Sequence, residues 1–286
     1  MYNSGCVDIT VRRSDYYSSF TKIAPLNNET LPTLLSCRDI HLSFGGVTAL
    51  HNVSFDVLQG EIFALIGPNG AGKSSMLNCI SGLYRPQAGT IVYDGQDMLR
   101  LKPHQLSRRG LARSFQNIAL FRELSVIDNI LTGRHIRQAA GVISGGLFWG
   151  TARREEIRHR MAVEEIIELL DLQDVRTQVV GTLAYGMQKR VELARGLAME
   201  PRLLLLDEPM AGMNSAERDE MVRIILESNI HKGLTIVMIE HDMGMVMDIS
   251  DRVCVLDFGK RIAMGTPDQV KADPHVIKAY LGEDDF

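Results

Sequence analysis

From residue 34 onward the chain reads as short apolar runs, glycine turns and amphipathic stretches. Leu34–Asp39, His41–Phe44, Ala49–Val57 and Glu61–Ile66 have the length and composition of strands, and they predict an antiparallel meander merging into the last of them. Gly89–Tyr93 adds a strand that ends at the hairpin signal Asp94-Gly95. Lys102–Arg109 predicts a short helix and Ala112–Phe115 a buried strand. Residues 117–200 are the most helical part. Ser125–Leu131 predicts one helix and Arg153–Leu172 a long amphipathic one, with Ile157, Met161, Ile166, Ile167 and Leu170 on its apolar face. A further helix, Lys189–Met199, follows the glycine turn at Leu183–Gln188. Leu203–Leu206 and Thr235–Ile239 are apolar throughout, as expected of strands buried on both faces, and Met221–Leu226 belongs to a helix between them. Met243, Met245 and Met247 recur at every second residue, which suits neither helix face cleanly and reads as gap-filling core. Arg252–Leu256 and Lys260–Met264 close the sheet, and helices over Thr266–Lys271 and Val276–Leu281 end the chain.

Two segments stand outside this pattern. Residues 1–33 carry Ser, Thr, Asn and Tyr without periodicity, with Pro25 and Pro32 breaking any helix, and predict a poorly ordered extension before a single domain at 34–286. Gly141–Gly150 is too short to span a bilayer and too apolar for a free linker. It reads as a loop folded onto its own subdomain, with contact to a membrane partner as the second reading.

Chemistry collects where the buried strands end. The run Ile62–Ile66 leads into Gly67-Pro68-Asn69-Gly70-Ala71-Gly72-Lys73-Ser74-Ser75, a phosphate-binding loop in its strand–loop–helix setting. Glycines let successive N–H groups point into one concavity, and the helix that follows aims its positive end at the same place. Lys73 then reaches the β- and γ-phosphates of a nucleotide, and the Ser74 hydroxyl is a ligand for Mg²⁺. Leu203–Leu206 ends in Asp207-Glu208. Two adjacent carboxylates after a buried strand fit a metal ligand, Asp207, and a base that polarises the attacking water, Glu208. Thr235–Ile239 ends in Glu240-His241-Asp242, which puts His241 on the edge of the sheet that open α/β folds use for ligands. Gln116 follows another strand; its amide oxygen can ligand Mg²⁺ or position water, although a Gln at a strand end taken alone is much more often ordinary surface. Phe44, before Gly45-Gly46, either stacks on a purine or plugs the sheet. The turn Leu183-Ala184-Tyr185-Gly186 opens a helix and is a second anion-binding end.

Composition narrows the class. The 286 residues are 45% apolar and 23% charged, ordinary for a globular protein, and the formal net charge of −4 argues against a nucleic-acid partner. No apolar run approaches the ~20 residues a membrane helix needs, and Asp8, Arg12, Arg13 and Asp15 interrupt any secretory signal. Cys6, Cys37, Cys79 and Cys254 show no paired metal-ligand spacing, which fits free thiols in a reducing cytoplasm.

Together GPNGAGKSS, Gln116 after ARSF, LAYGMQ, LLLLDEP, Ala211–Asn214 and His241 resemble the ATP-binding cassette family, from Leu34 to about Gly282. The resemblance implies an α/β P-loop fold with a mixed sheet core, an antiparallel β lobe near the adenine and an inserted helical subdomain. It implies ATP and Mg²⁺ as cofactors. Phe44 looks like the adenine-stacking aromatic, Gln116 like the glutamine that senses Mg²⁺ and water, and His241 like the switch histidine on the γ-phosphate. Leu183, Ala184, Tyr185 and Gly186 resemble the signature that closes on ATP held by the opposite subunit, and Ala211–Asn214 the loop crossing that interface. The general signature LSGGQ is altered here, with Ala184 for Ser, Tyr185 for Gly and Met187 for Gln.

More narrowly, LAYGMQKRVELAR and GTPDQVKADPHVIKAYLGE look like the larger ATPase subunit of bacterial branched-chain amino acid importers. That likeness implies ATP-driven uptake of leucine, isoleucine and valine, with other amino acids or small amides as alternatives. It implies integral membrane permeases, a second ATPase subunit, an extracytoplasmic substrate-binding protein acting indirectly, and a peripheral place on the cytoplasmic face of the inner membrane. A soluble translation ATPase would carry two cassettes, and a chromosome or repair ATPase would need long heptad arms. A simple P-loop kinase would explain neither LAYGMQ nor His241.

Overall fold

The computed structural model describes residues 31–114, 119–135 and 149–281. Two sheets form the centre. The first has the order β2-β1-β4-β5, built from β1 (Thr33–Phe44), β2 (Val47–Leu58), β4 (Ala88–Tyr93) and β5 (Gln96–Asp97), all antiparallel. The second comprises β3 (Ile62–Ile66), β6 (Leu111–Arg113), β7 (Leu203–Asp207), β8 (Thr235–Ile239), β9 (Arg252–Asp257) and β10 (Lys260–Gly265). Its order is β10-β9-β3-β8-β7-β6, parallel except for the β9–β10 hairpin.

The expected meander is therefore corrected. Leu34–Asp39 and His41–Phe44 are one strand, with register shifts around Ile40 and a left-handed Asp39 (φ 50°). That sheet does not merge into Ile62–Ile66, because β3 hydrogen-bonds only in the parallel sheet, to β8 and β9.

Period-two alternation sends the side chains of the parallel strands to two apolar faces. Phe63, Leu65, Leu205, Ile239 and Leu256 pack with the antiparallel sheet and α1 (Lys73–Ile80). Ile66, Leu204, Leu206, Met238 and Val255 share a core with α3 (Val126–Arg134), α4 (Trp149–Leu169), α5 (Tyr185–Ala198) and α6 (Ser215–Lys232). Helix α2 (Pro103–Arg108) precedes β6. The same core takes in α7 (Met243–Ile249), α8 (Pro267–Lys271) and α9 (Pro274–Leu281).

Two helical readings change. On α4 the buried face is Val163, Ile166 and Ile167, continued by Leu170, while Ile157 and Met161 are 50% and 62% exposed. The methionines at 243, 245 and 247 lie on a helix, α7, where Asp242 caps the N-terminus and Val246, Met247 and Ile249 face the core. Within the Gly141–Gly150 stretch, residues 141–148 fall outside the described residues, as do Phe115 and nearly all of the N-terminal extension.

Candidate functional site

Parallel strands all end on the same edge, so β3, β6, β7 and β8 deliver their following residues to one place. Gly67 through Gly72 curl between β3 and α1. A Cβ at Gly67 (φ 147°) would overlap the Leu256 carbonyl oxygen, and one at Gly72 (φ 99°) would stand 2.5 Å from the Ala49 carbonyl oxygen. Only glycine fits either position. The loop is braced from behind by backbone hydrogen bonds, with Gly259 N–H donating to Ala71 O (3.1 Å) and His51 N–H to Gly259 O (2.7 Å). Lys73 is buried and donates to Gly67 O (2.7 Å) and Pro68 O (2.9 Å). Burial lowers its pKa, and the carboxylates of Glu208 and Asp207 oppose that. The ammonium thus rests on carbonyls of its own loop.

Asp207 is 3% exposed, and burial raises its carboxyl pKa against the pull of Arg113. Arg113, at the end of β6, donates to Asp207 Oδ2 (3.0 Å), Asn78 Oδ1 (2.6 Å) and Ser81 Oγ (2.9 Å). It ties the end of α1 to the carboxylate. Sequence reading assigned Arg113 no role, because its partners lie 32 to 94 residues away. Asp207 Oδ1 is buried and has no hydrogen-bond partner among the described residues.

Glu208 takes a left-handed backbone (φ 50°) and donates its N–H to Ile239 O (3.0 Å). His241 Nε2 meets Glu208 Oε1 at 2.5 Å. Glu240 is 5% exposed and accepts from Met210 N–H (2.9 Å) and His241 N–H (3.2 Å). Burial raises its pKa, and those two bonds lower it. This carboxyl, read in the sequence only as a neighbour of His241, fixes the loops after both strands.

Phe44 stands at the end of β1, 48% exposed and edge-on to Tyr84 with ring centroids 5.1 Å apart. It does not plug the sheet. Ala184 and Tyr185 are exposed at the start of α5 while Gly186 is buried. The Ala184 N-cap makes no side-chain hydrogen bond. Gln116 lies outside the described residues. Of the proposed metal ligands, Ser74 and Asp207 are described. No group of three or more His, Cys, Asp or Glu side chains suited to a metal occurs among the described residues.

A phosphate loop, a carboxylate pair and a histidine on one edge of a parallel sheet, with a separate antiparallel sheet and a helical insertion, define a P-loop ATPase of the cassette type. A family model described as ABC transporter matches residues 50–211, and one described as branched-chain amino acid ATP-binding cassette transporter matches residues 260–285. The high-affinity branched-chain amino acid transport ATP-binding protein LivG of Escherichia coli (strain K12) is 42% identical over 87% of this chain and 98% of its own. BraF of Pseudomonas aeruginosa, of the same description, is 38% identical over the same shares. A nucleotide-free ATP-binding cassette from an ABC transporter superposes with a TM-score of 0.75 at 30% identity, over 88% of this chain and 100% of that one. The ADP conformation of an ATP-binding cassette gives 0.76, also at 30%, with the same coverage. The chain belongs to the ABC transporter family, as an ATP-hydrolysing subunit that works with membrane permease partners. No helix among the described residues is long and apolar enough to cross a membrane.

Proposed function

We propose that this chain hydrolyses ATP to drive uptake of leucine, isoleucine and valine through separate permeases, from the cytoplasmic face of the membrane. One observation supports the substrate. The relatives matched along 98% of their length are described as high-affinity branched-chain amino acid transport proteins, and the match extends into the C-terminal residues 260–285.

The site supports the chemistry. Gly67–Ser75 cradle the phosphates with backbone N–H groups and the N-terminus of α1, and Lys73 moves from its carbonyl perches to the γ-phosphate. Phe44 offers an exposed ring to the adenine. Ser74 and Asp207 would hold Mg²⁺, with Gln116 as a further ligand: the buried Asp207 Oδ1 has no hydrogen-bond partner among the described residues and is an oxygen ligand of the kind the ion prefers. Bound there, the ion neutralises charge on the β- and γ-phosphates. Glu208 accepts the proton of the attacking water, and His241 orients that carboxylate. Leu183, Ala184, Tyr185 and Gly186 present the N-terminus of α5 to ATP on a second ATPase subunit. A substrate-binding protein outside the membrane acts on this chain only through the permeases.

Deleting the gene in its native host and following labelled leucine uptake tests the substrate. Loss of high-affinity uptake, restored by the wild-type gene but not by Glu208→Gln, is expected. Unchanged uptake in a strain with no second such importer counts decisively against it.

A further inference from the structure

The departure of LAYGMQ from the family signature places an aromatic ring at position 185, and the structure shows what that ring touches. Tyr185 Cε1, Cζ and Cδ1 lie 3.1, 3.6 and 3.7 Å from where a side chain at Gly212 would project. Gly212 belongs to the loop that leaves Glu208 and reaches Asn214, the N-cap of α6. The ring therefore packs closely on the loop of its own chain, at a position whose left-handed backbone (φ 78°) favours glycine.

The same two segments meet a second time. A Cβ at Gly186 would overlap Glu217 Oε1. Glu217 is fixed by a capping box, accepting from Asn214 N–H (3.1 Å) while its own N–H donates to Asn214 Oδ1 (3.0 Å). Consecutive residues of the α5 turn are thus fitted against the far end of the loop after the carboxylates, at Gly212, and against the first turn of α6, at Glu217.

A third contact runs inward. Lys189, one turn along α5, places Nζ 5.9 Å from the Tyr185 ring centroid, within cation–π range. Lys189 is 3% exposed and lies 4.0 Å from Glu192 Oε2. The ring thus lies over a buried ammonium of its own helix, which ties Tyr185 to the inward face of α5.

We propose that Tyr185 is a positioning residue for ATP hydrolysis: its ring clasps Gly212 and covers Lys189, so that the turn opening α5 and the loop carrying Glu208 move as one body. Closure on a second subunit's nucleotide at α5 then sets Glu208 in the same chain's own site. The ring does this work; the hydroxyl does not. The proposal rests on Glu208 being the base, but its structural half has an independent readout.

The test uses the full-length protein. Hydrogen–deuterium exchange is followed for peptides covering residues 208–214, and steady-state ATPase activity is measured alongside, for wild type, Tyr185→Ala, Tyr185→Phe, Lys189→Gln and the double variant Tyr185→Ala/Lys189→Gln. Tyr185→Ala is expected to speed exchange in 208–214 and to lower kcat by about 10- to 100-fold, the scale of a misplaced catalytic group. ATP affinity of the isolated chain stays within about twofold, since its own phosphate loop is untouched. Tyr185→Phe keeps the slow exchange and recovers most of kcat. Adding Lys189→Gln to Tyr185→Ala costs less than Lys189→Gln does alone. Wild-type exchange in Tyr185→Ala overturns the clasp. A Tyr185→Phe variant as slow as Tyr185→Ala overturns the role of the ring and assigns the hydroxyl to the partner's nucleotide. If exchange behaves as stated while kcat is unaffected, the loop is clasped but the clasp does not position the base, and the proposal is overturned; failure of the Glu208 reading is seen separately, as near-normal hydrolysis by Glu208→Gln.

Discussion

His241 Nε2 lies 2.5 Å from Glu208 Oε1, although 33 residues separate them in sequence. Neighbouring parallel strands explain the meeting. Asp207 pairs with Ile239 across β7 and β8, so the residues that follow each strand emerge side by side. Glu240 then anchors both exits through Met210 N–H and His241 N–H. A ring N–H donated to a carboxylate fixes the direction of its remaining lone pairs, which is what a general base needs.

The first prediction separates binding from chemistry. Glu208→Gln keeps the shape of the site and removes the base, so ATP binding persists while turnover falls by ~10²–10⁴-fold. Lys73→Ala removes the buried cation and weakens ATP binding itself. Equilibrium nucleotide binding and single-turnover hydrolysis on both variants check the split; near-normal hydrolysis by Glu208→Gln refutes the assignment.

Phe44 is half exposed against Tyr84 and so is free to offer a face to a base. Phe44→Ala is expected to weaken ATP binding by about 1–3 kcal/mol, while Phe44→Tyr and Phe44→Trp retain it. Equal affinities in all three variants return the residue to a purely structural part.

Arg113 holds Asp207 with side-chain exposures of 10% and 3%, so the pair is nearly dry. Arg113→Met leaves a buried carboxylate without its cation, a change that costs about 3–5 kcal/mol when the charge stays. Arg113→Lys recovers little, because one ammonium cannot serve Asn78, Ser81 and Asp207 in fork geometry. Asp207→Asn added to Arg113→Met restores stability but not activity. Denaturant unfolding of the three variants decides it; full stability in Arg113→Met alone contradicts the pairing.

Ala184→Ser adds a hydroxyl at an exposed N-cap and changes turnover only modestly. Gly186→Asp forces Glu217 aside and sets a second carboxylate beside it at the positive end of α5. It is expected to abolish turnover while ATP binding by the isolated chain survives. Loss of that binding, measured with a fluorescent nucleotide, contradicts the two-subunit reading of this turn.

Glu61 precedes β3 and is buried, accepting from Leu58 N–H (2.6 Å) and Arg252 (3.2 Å). Burial outweighs Arg252 and raises its pKa from 4.5 to about 7. The folded state therefore holds this proton more tightly than the unfolded chain does between those values. The contribution to stability is full below pH 4.5 and is lost as pH rises toward about 7, a swing on the order of 3 kcal/mol. Glu61→Gln is expected to flatten this part of the stability–pH profile, and parallel profiles for the two proteins rule the effect out.

How much of this was legible beforehand depends on range. The phosphate loop, the carboxylates after Leu203–Leu206 and His241 are written locally, as an apolar strand followed by polar residues of fixed type. Their convergence on one edge follows from parallel strands alone. The stripe on α4 was misjudged at Ile157 and Met161, because periodicity says which residues share a face but not how far a partner covers it.

The sequence by itself determined most strands and helices and the nucleotide-binding loop, since each rests on patterns spanning fewer residues than one element and its turn, and the family through the order of several such motifs. Only the tertiary structure decided which sheet β3 joins, that Phe44 is exposed, that Arg113 and Glu240 hold the site together, and that Tyr185 rests on Gly212. These contacts join segments that approach only after the sheet is assembled. A side chain's type allows many partners, and the assembled packing selects the one within reach.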